Sequence, residues 1–132
     1  MSVKLAALST PTPFNGVDTT KAVERVYFSV TPSGNYAGAP GDPMDFTQLG
    51  DLIKSGQPPL LVVILSAKAG GNASGYEYNY NPGVAPSTIS NGTFQVLQCA
   101  AAGNPLADIG AGAYPAGVTA DTIIGYADFL RL

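Results

Sequence analysis

Whatever chemistry this chain performs must come from its acids, because it contains no histidine and a single cysteine, Cys99. The missing histidine removes the commonest general base and every His-dependent triad. One cysteine cannot form an internal disulfide, and without histidine it lacks the partners of a zinc site. Cys99 is read as a small buried apolar residue. Asp42 and Asp45, three apart in Gly41-Asp42-Pro43-Met44-Asp45, are close enough to share a cation. A calcium loop needs about 6–8 oxygens and more acids at regular spacing, so turn and cap duties fit the pair better. Asp18, Glu24, Glu77 and Asp108 are candidates for a glycosidase-type pair only in the sense that almost any protein offers such acids. Gly70-Gly71-Asn72-Ala73-Ser74-Gly75 lacks the Gly-Lys-Ser/Thr ending of a phosphate loop, and no dinucleotide fingerprint occurs. No catalytic residue, metal site or cofactor is expected, and the chain is read as a non-enzyme.

Tyr76, Tyr78 and Tyr80 are the most unusual local feature. Alternating along one strand, they share a face. That face either lies on its own sheet, packs at a protein interface or stacks on a ligand such as a sugar ring.

The elements that would position these residues are β-strands. Sixteen Gly and eleven Pro in 132 residues break the chain into short runs separated by turn chemistry, the pattern of a sandwich or barrel. Strands are expected at Val23–Thr31, Pro59–Ser66, Gly75–Asn81, Thr93–Cys99 and Thr122–Leu130, with a short one at Met44–Phe46 and at most one helical turn within Thr47–Lys54. Phe28, Val30, Val62, Ile64, Phe94, Val96, Ile123 and Phe129 form the expected core. Asn91-Gly92 is a good hairpin-turn dipeptide. The unbroken apolar run Leu60–Leu65 implies a strand covered on both faces, by the core on one side and by a second surface, such as a neighbouring subunit, on the other. Residues 1–15 read as an extended arm, since Pro11 and Pro13 disfavour helix; residues 16–132 read as the sandwich domain. With no evident partner in a local hairpin, Met1–Phe14 is expected to complete its backbone hydrogen bonds across a subunit interface.

Charged residues make up 11% of the chain, about half the usual share. Either a partner covers part of the surface or uncharged polar groups solubilise it. The net charge is −3, the pI near 4.5, and the six Lys and Arg residues are scattered. A phosphate-gripping surface needs a basic stripe, so no nucleic-acid partner is expected. No apolar run approaches the ~20 residues of a membrane span. The start of the chain lacks a secretory leader pattern, so the sequons at Asn72 and Asn91 are not read as glycosylation sites.

In order along the chain, Gly16-Val17-Asp18-Thr19-Thr20-Lys21, Val23 to Tyr36, Gly41-Asp42-Pro43-Met44-Asp45-Phe46 and Gly112 to Thr122 together resemble the head decoration, or capsid cement, proteins of tailed bacteriophages. The resemblance covers roughly residues 15–55 and 90–132 and rests on the order of the pieces; the tyrosine strand departs from it. It implies an all-β, jelly-roll-like antiparallel β-sandwich with long Gly/Pro-rich loops. It also implies a homodimer or homotrimer bound to the major capsid protein on the outer surface of the virion, after synthesis in the host cytoplasm, with no catalytic residues. Leu5, Leu8, Pro11, Pro13, Phe14, Leu61, Val63, Tyr76, Tyr78 and Tyr80 are the candidate capsid or oligomer contacts. The alternative is a virion-associated carbohydrate-binding or host-adhesion module using the tyrosines.

Overall fold

The computed structural model describes residues 3–8, 23–52, 56–67, 75–99 and 102–130. Ten strands are present among them. A four-stranded antiparallel sheet has the order β1 (Val3–Ala7), β2 (Val23–Pro32), β10 (Ile123–Leu130), β5 (Leu61–Ser66). In a second antiparallel sheet, β7 (Gly92–Cys99) is central. β6 (Tyr76–Asn81) flanks β7 on one side, and β4 (Asp42–Met44) and β8 (Leu106–Asp108) pair with its two halves on the other. β3 (Asn35–Tyr36) and β9 (Gly112–Ala113) form a two-stranded ribbon. The fold is an all-β, sandwich-like arrangement of antiparallel sheets.

Side-chain alternation explains the layering. In β2, Val26, Phe28 and Val30 turn inward; in β10, Ile123, Gly125, Ala127 and Phe129 do so; in β1, Val3 and Leu5. They meet Met44, Phe94, Val96 and Tyr78 of the second sheet in one buried cluster, with Val62 packed against it. Phe46 sits at the junction, its ring 5.5 Å from those of Phe28 and Phe129 and 5.6 Å from that of Tyr80. The expected core is therefore present, with Val62 at its edge. At Gly125 a side chain would meet the Val63 carbonyl oxygen at 2.5 Å and the Phe28 ring at 2.9 Å. Glycine is what lets that ring approach β10 so closely.

Several expectations change. The proposed arm begins as a strand of the sheet: Val3–Ala7 pairs with β2 in the same chain, and the Leu8 amide donates to Tyr27 O at 2.9 Å. The other edge of β1 is closed by a side chain. Leu5 N donates to Gln48 Oε1 at 3.1 Å, and Gln48 Nε2 donates to Val3 O at 3.2 Å. These backbone groups need no neighbouring subunit. Residues 9–15 of the expected arm, including Pro11, Pro13 and Phe14, lie outside the described residues.

Asn91-Gly92 is not a hairpin turn either, because Gly92 already pairs with Met44 inside the sheet. Gly92 answers to crowding: a side chain there would meet the Tyr80 hydroxyl at 2.2 Å and its ring at 2.3 Å. The helical segment Phe46–Leu52 is 3₁₀ and is kinked at Gly50, whose φ is 60°. A short helix, α1 (Ala116–Thr119), buries Val118 against the core; no apolar periodicity announces it.

Candidate interaction face

The residues of the first sheet that do not enter the core define its outer face. β2 presents Val23, Arg25, Tyr27 and Ser29; β10 presents Ile124, Tyr126, Asp128 and Leu130; β5 presents Leu61, Val63 and Leu65. The register aligns them in rows. Tyr126 lies opposite Tyr27 and Val63, Ile124 opposite Ser29 and Leu65, Asp128 opposite Arg25 and Leu61, and Leu130 opposite Val23. Leu61 and Leu65 are 47% and 46% exposed, and Val23 and Tyr27 40% each. This is the strand that the sequence leaves apolar on both sides, and here its second side is open.

Charge within the face is neutralised in place. Arg25 Nε donates to Asp128 Oδ1 at 2.7 Å and Nη2 to Oδ2 at 3.0 Å, a forked pair that satisfies both carboxylate oxygens. The guanidinium also lies 4.1 Å from the Tyr126 ring centroid, and the Tyr126 and Tyr27 rings are 6.0 Å apart. The bond to Asp128 pushes the Arg25 pKa further up, so the guanidinium keeps its charge. The face offers aliphatic surface and two aromatic rings around a fixed, internally balanced ion pair.

Of the acids considered for chemistry, Asp42, Asp45 and Asp108 hold the fold together, and Asp18 lies outside the described residues. Asp42 is fully buried and accepts hydrogen bonds from the Tyr114 hydroxyl and from Ala37 N at 2.8 Å. Asp45 Oδ1 accepts from Thr47 N at 2.8 Å and Thr47 Oγ1 at 2.6 Å, starting the 3₁₀ segment. The two carboxylates point to different partners, so the shared-cation idea gives way to a lock and a cap. Asp108 accepts from Tyr36, Gln95 and the Gly110 amide. Burial pushes its pKa up, but these three bonds outweigh burial and leave it below the ordinary 3.8. Burial, reinforced by their acidic partners, raises the Tyr36 and Tyr114 hydroxyls. Among the described residues no group of three or more metal-ligating side chains lies together, and no buried side-chain polar atom lacks a hydrogen-bond partner.

Of the contact candidates, Leu61 and Val63 lie on the open face. Leu5 is buried in the core and Leu8 is half-buried. The tyrosines turn the other way. Tyr78 is 5% exposed, stacks on Phe94 at 5.5 Å and donates to Asp121 Oδ2 at 2.6 Å. Tyr76 and Tyr80 pack partly buried against the core. Their face lies on its own protein, because β6 covers the core as the flank of the second sheet. Cys99 is also corrected: it is exposed, with its thiol donating to Asn104 O at 3.0 Å. The Arg25–Asp128 pair and the outer residues of β10 were not singled out as contacts, although the strict alternation of Ile123–Leu130 already separated the two faces. Among the described residues no helix is long and apolar enough to cross a membrane. Comparison with protein families, curated proteins and solved structures yields no match of significance.

Proposed function

We propose that the chain is a non-enzymatic adhesion protein, a phage head decoration protein that binds the major capsid protein on the outside of an assembled shell and stabilises it. The observation that carries this reading is the open, apolar outer face of the four-stranded sheet, from Leu61 and Leu65 to Tyr27 and Val23. The order of segments resembling capsid cement proteins supports the same class, and Asp42, Asp45 and Asp108 are held in structural hydrogen bonds.

Magnitudes favour a repeating partner. Three strands ~4.8 Å apart, each contributing six residues at ~3.3 Å, span about 300 Å² in projection. Covering that surface contributes about 7 kcal/mol at ~25 cal/mol per Å². Association costs on the order of 4–15 kcal/mol. One isolated contact is therefore weak. Copies of the chain joined as a homo-oligomer on a lattice multiply it by effective concentration. The carbohydrate-binding alternative depended on the tyrosine strand, and Tyr76, Tyr78 and Tyr80 face inward.

Co-sedimentation with expanded, undecorated phage heads tests the reading. Wild-type protein is expected to bind saturably, and Leu61→Ser/Leu65→Ser protein to remain in the supernatant while keeping its melting transition. Equal binding by the folded double variant rules out this face, and no binding by the wild type rules out decoration.

A further inference from the structure

The outer face of the second sheet has the opposite chemistry to that of the first. In β7, Thr93, Gln95 and Leu97 alternate with the buried Phe94 and Val96. The register sets Asn81 beside Thr93, Asn79 beside Gln95 and Glu77 beside Leu97, and β8 adds Asp108 on the other side of Leu97. Cys99, exposed at the end of β7, lies opposite Leu106 and closes the less polar end of the face. The rest is amide, hydroxyl and carboxylate.

These polar groups are tied to one another. Asn81 Nδ2 donates to Gln95 Oε1 at 2.9 Å and to Pro40 O at 2.8 Å, and Thr93 Oγ1 donates to the same carbonyl at 2.8 Å. Gln95 Nε2 donates to Asp108 Oδ2 at 3.0 Å. Glu77 and Asp108 give the face two acids, and its described residues include no cation to balance them. An apolar surface laid over it would strip water from both carboxylates and return no hydrogen bond, which is unfavourable. On the first sheet the only charges are paired with each other, so covering its leucines and tyrosines meets no such penalty.

The two sheets share one core, about 10 Å apart as packed sheets are, so their outer faces point to opposite sides of the molecule. We infer that the chain sits on the shell in one orientation. Leu61, Leu65 and Tyr27 face the shell protein, and the amide-rich face of β6 and β7 is the exterior of the decorated particle. This rests on the decoration reading and adds which side of the sandwich stays in water.

Thiol labelling by a bulky, water-soluble maleimide tests it, read by mass spectrometry of this chain, free and bound to expanded, undecorated heads. Wild-type protein reports on the second sheet through Cys99. Ser29→Cys/Cys99→Ser protein reports on the outer face of the first sheet, where Ser29 lies opposite Ile124. Leu65→Cys/Cys99→Ser reports on the same face should the first variant not melt with the wild type. Cys99 should label within about two-fold of its free rate in the bound state, since docking normally changes the partners' shape little. The thiol introduced on the first sheet should be slowed at least about ten-fold, because a docked interface excludes water and reagent alike. Binding with Cys99 slowed, or with the first-sheet thiol unslowed, overturns the orientation and leaves decoration standing. Failure of the wild type to bind overturns both.

Discussion

Tyr36 and Asp108 lie 72 positions apart in the chain, and the Tyr36 hydroxyl donates to Asp108 Oδ2 at 2.6 Å. The same hydroxyl accepts from Val96 N at 3.2 Å, and the Tyr36 ring lies 5.5 Å from that of Tyr114, which donates to buried Asp42. Two tyrosines and two carboxylates thus pin the β3–β9 ribbon to β4, β7 and β8. Asp42→Ala leaves the buried Tyr114 hydroxyl without its acceptor and should cost about 1–3 kcal/mol in urea unfolding. Asp42→Asn, which keeps one acceptor oxygen, should cost less. Equal stability of wild type and Asp42→Ala would contradict the lock.

The same cluster sets the pH range of stability. Tyr36 and Tyr114 hold their protons more tightly in the fold than at their ordinary 10.0. Their contribution is full below about pH 10 and is lost as pH rises beyond it. Asp108 is held below its ordinary 3.8. Its contribution is full above about pH 4 and is lost as pH falls further. The melting temperature should be flat between these limits, and Tyr36→Phe should shrink the alkaline fall. An alkaline fall unchanged in Tyr36→Phe would remove Tyr36 as its source.

Core and face should respond oppositely to truncation. Phe28 and Phe129 are completely buried around Phe46, so Phe28→Ala or Phe129→Ala should cost about 3–5 kcal/mol. Leu65→Ser removes a half-exposed side chain and should cost about 1 kcal/mol or less. Denaturant titration of the three variants separates the classes, and a Leu65→Ser cost equal to that of Phe28→Ala would mean the face is not open.

The chain's beginning should be needed for folding. Val3 and Leu5 are buried, and full burial of such side chains contributes about 1.5–3 kcal/mol each. Deleting Met1–Ser9 should lower the melting temperature sharply. Gln48→Ala, which opens the β1 edge alone, should lower it less. A deletion that melts with the wild type would return Val3–Ala7 to the role of a detachable arm.

Most of the fold could be read from the sequence because it is written locally. Alternation of apolar residues marked β2, β7 and β10 and placed Phe28, Phe94 and Phe129 inside. The destination of the tyrosines could not be read, since alternation says that Tyr76, Tyr78 and Tyr80 share a face but not which way it turns. Pairing of β6 with β7 decides that. The Tyr36–Asp108 and Tyr114–Asp42 bonds leave no local pattern, each joining residues 72 apart. β1 was misread because the closure of its edge comes from Gln48, more than forty residues away. The open outer face was half visible: Leu61–Leu65 showed one strand of it, and only the register adds Tyr27, Ile124 and Tyr126.

Adhesion through that face is tested most directly by the melting temperature of expanded, undecorated heads with and without the protein, at ~50 and ~500 mM salt, on either side of physiological screening. A ligand that binds only the assembled form stabilises it by mass action. With the Arg25–Asp128 pair already neutralised within the face, binding depends on apolar burial and should weaken little with salt. The melting temperature should therefore rise at both salt concentrations, and the rise should disappear with Leu61→Ser/Leu65→Ser protein. Binding without any rise, or a rise present at low salt and abolished at high salt, would contradict stabilisation of the shell through the apolar face.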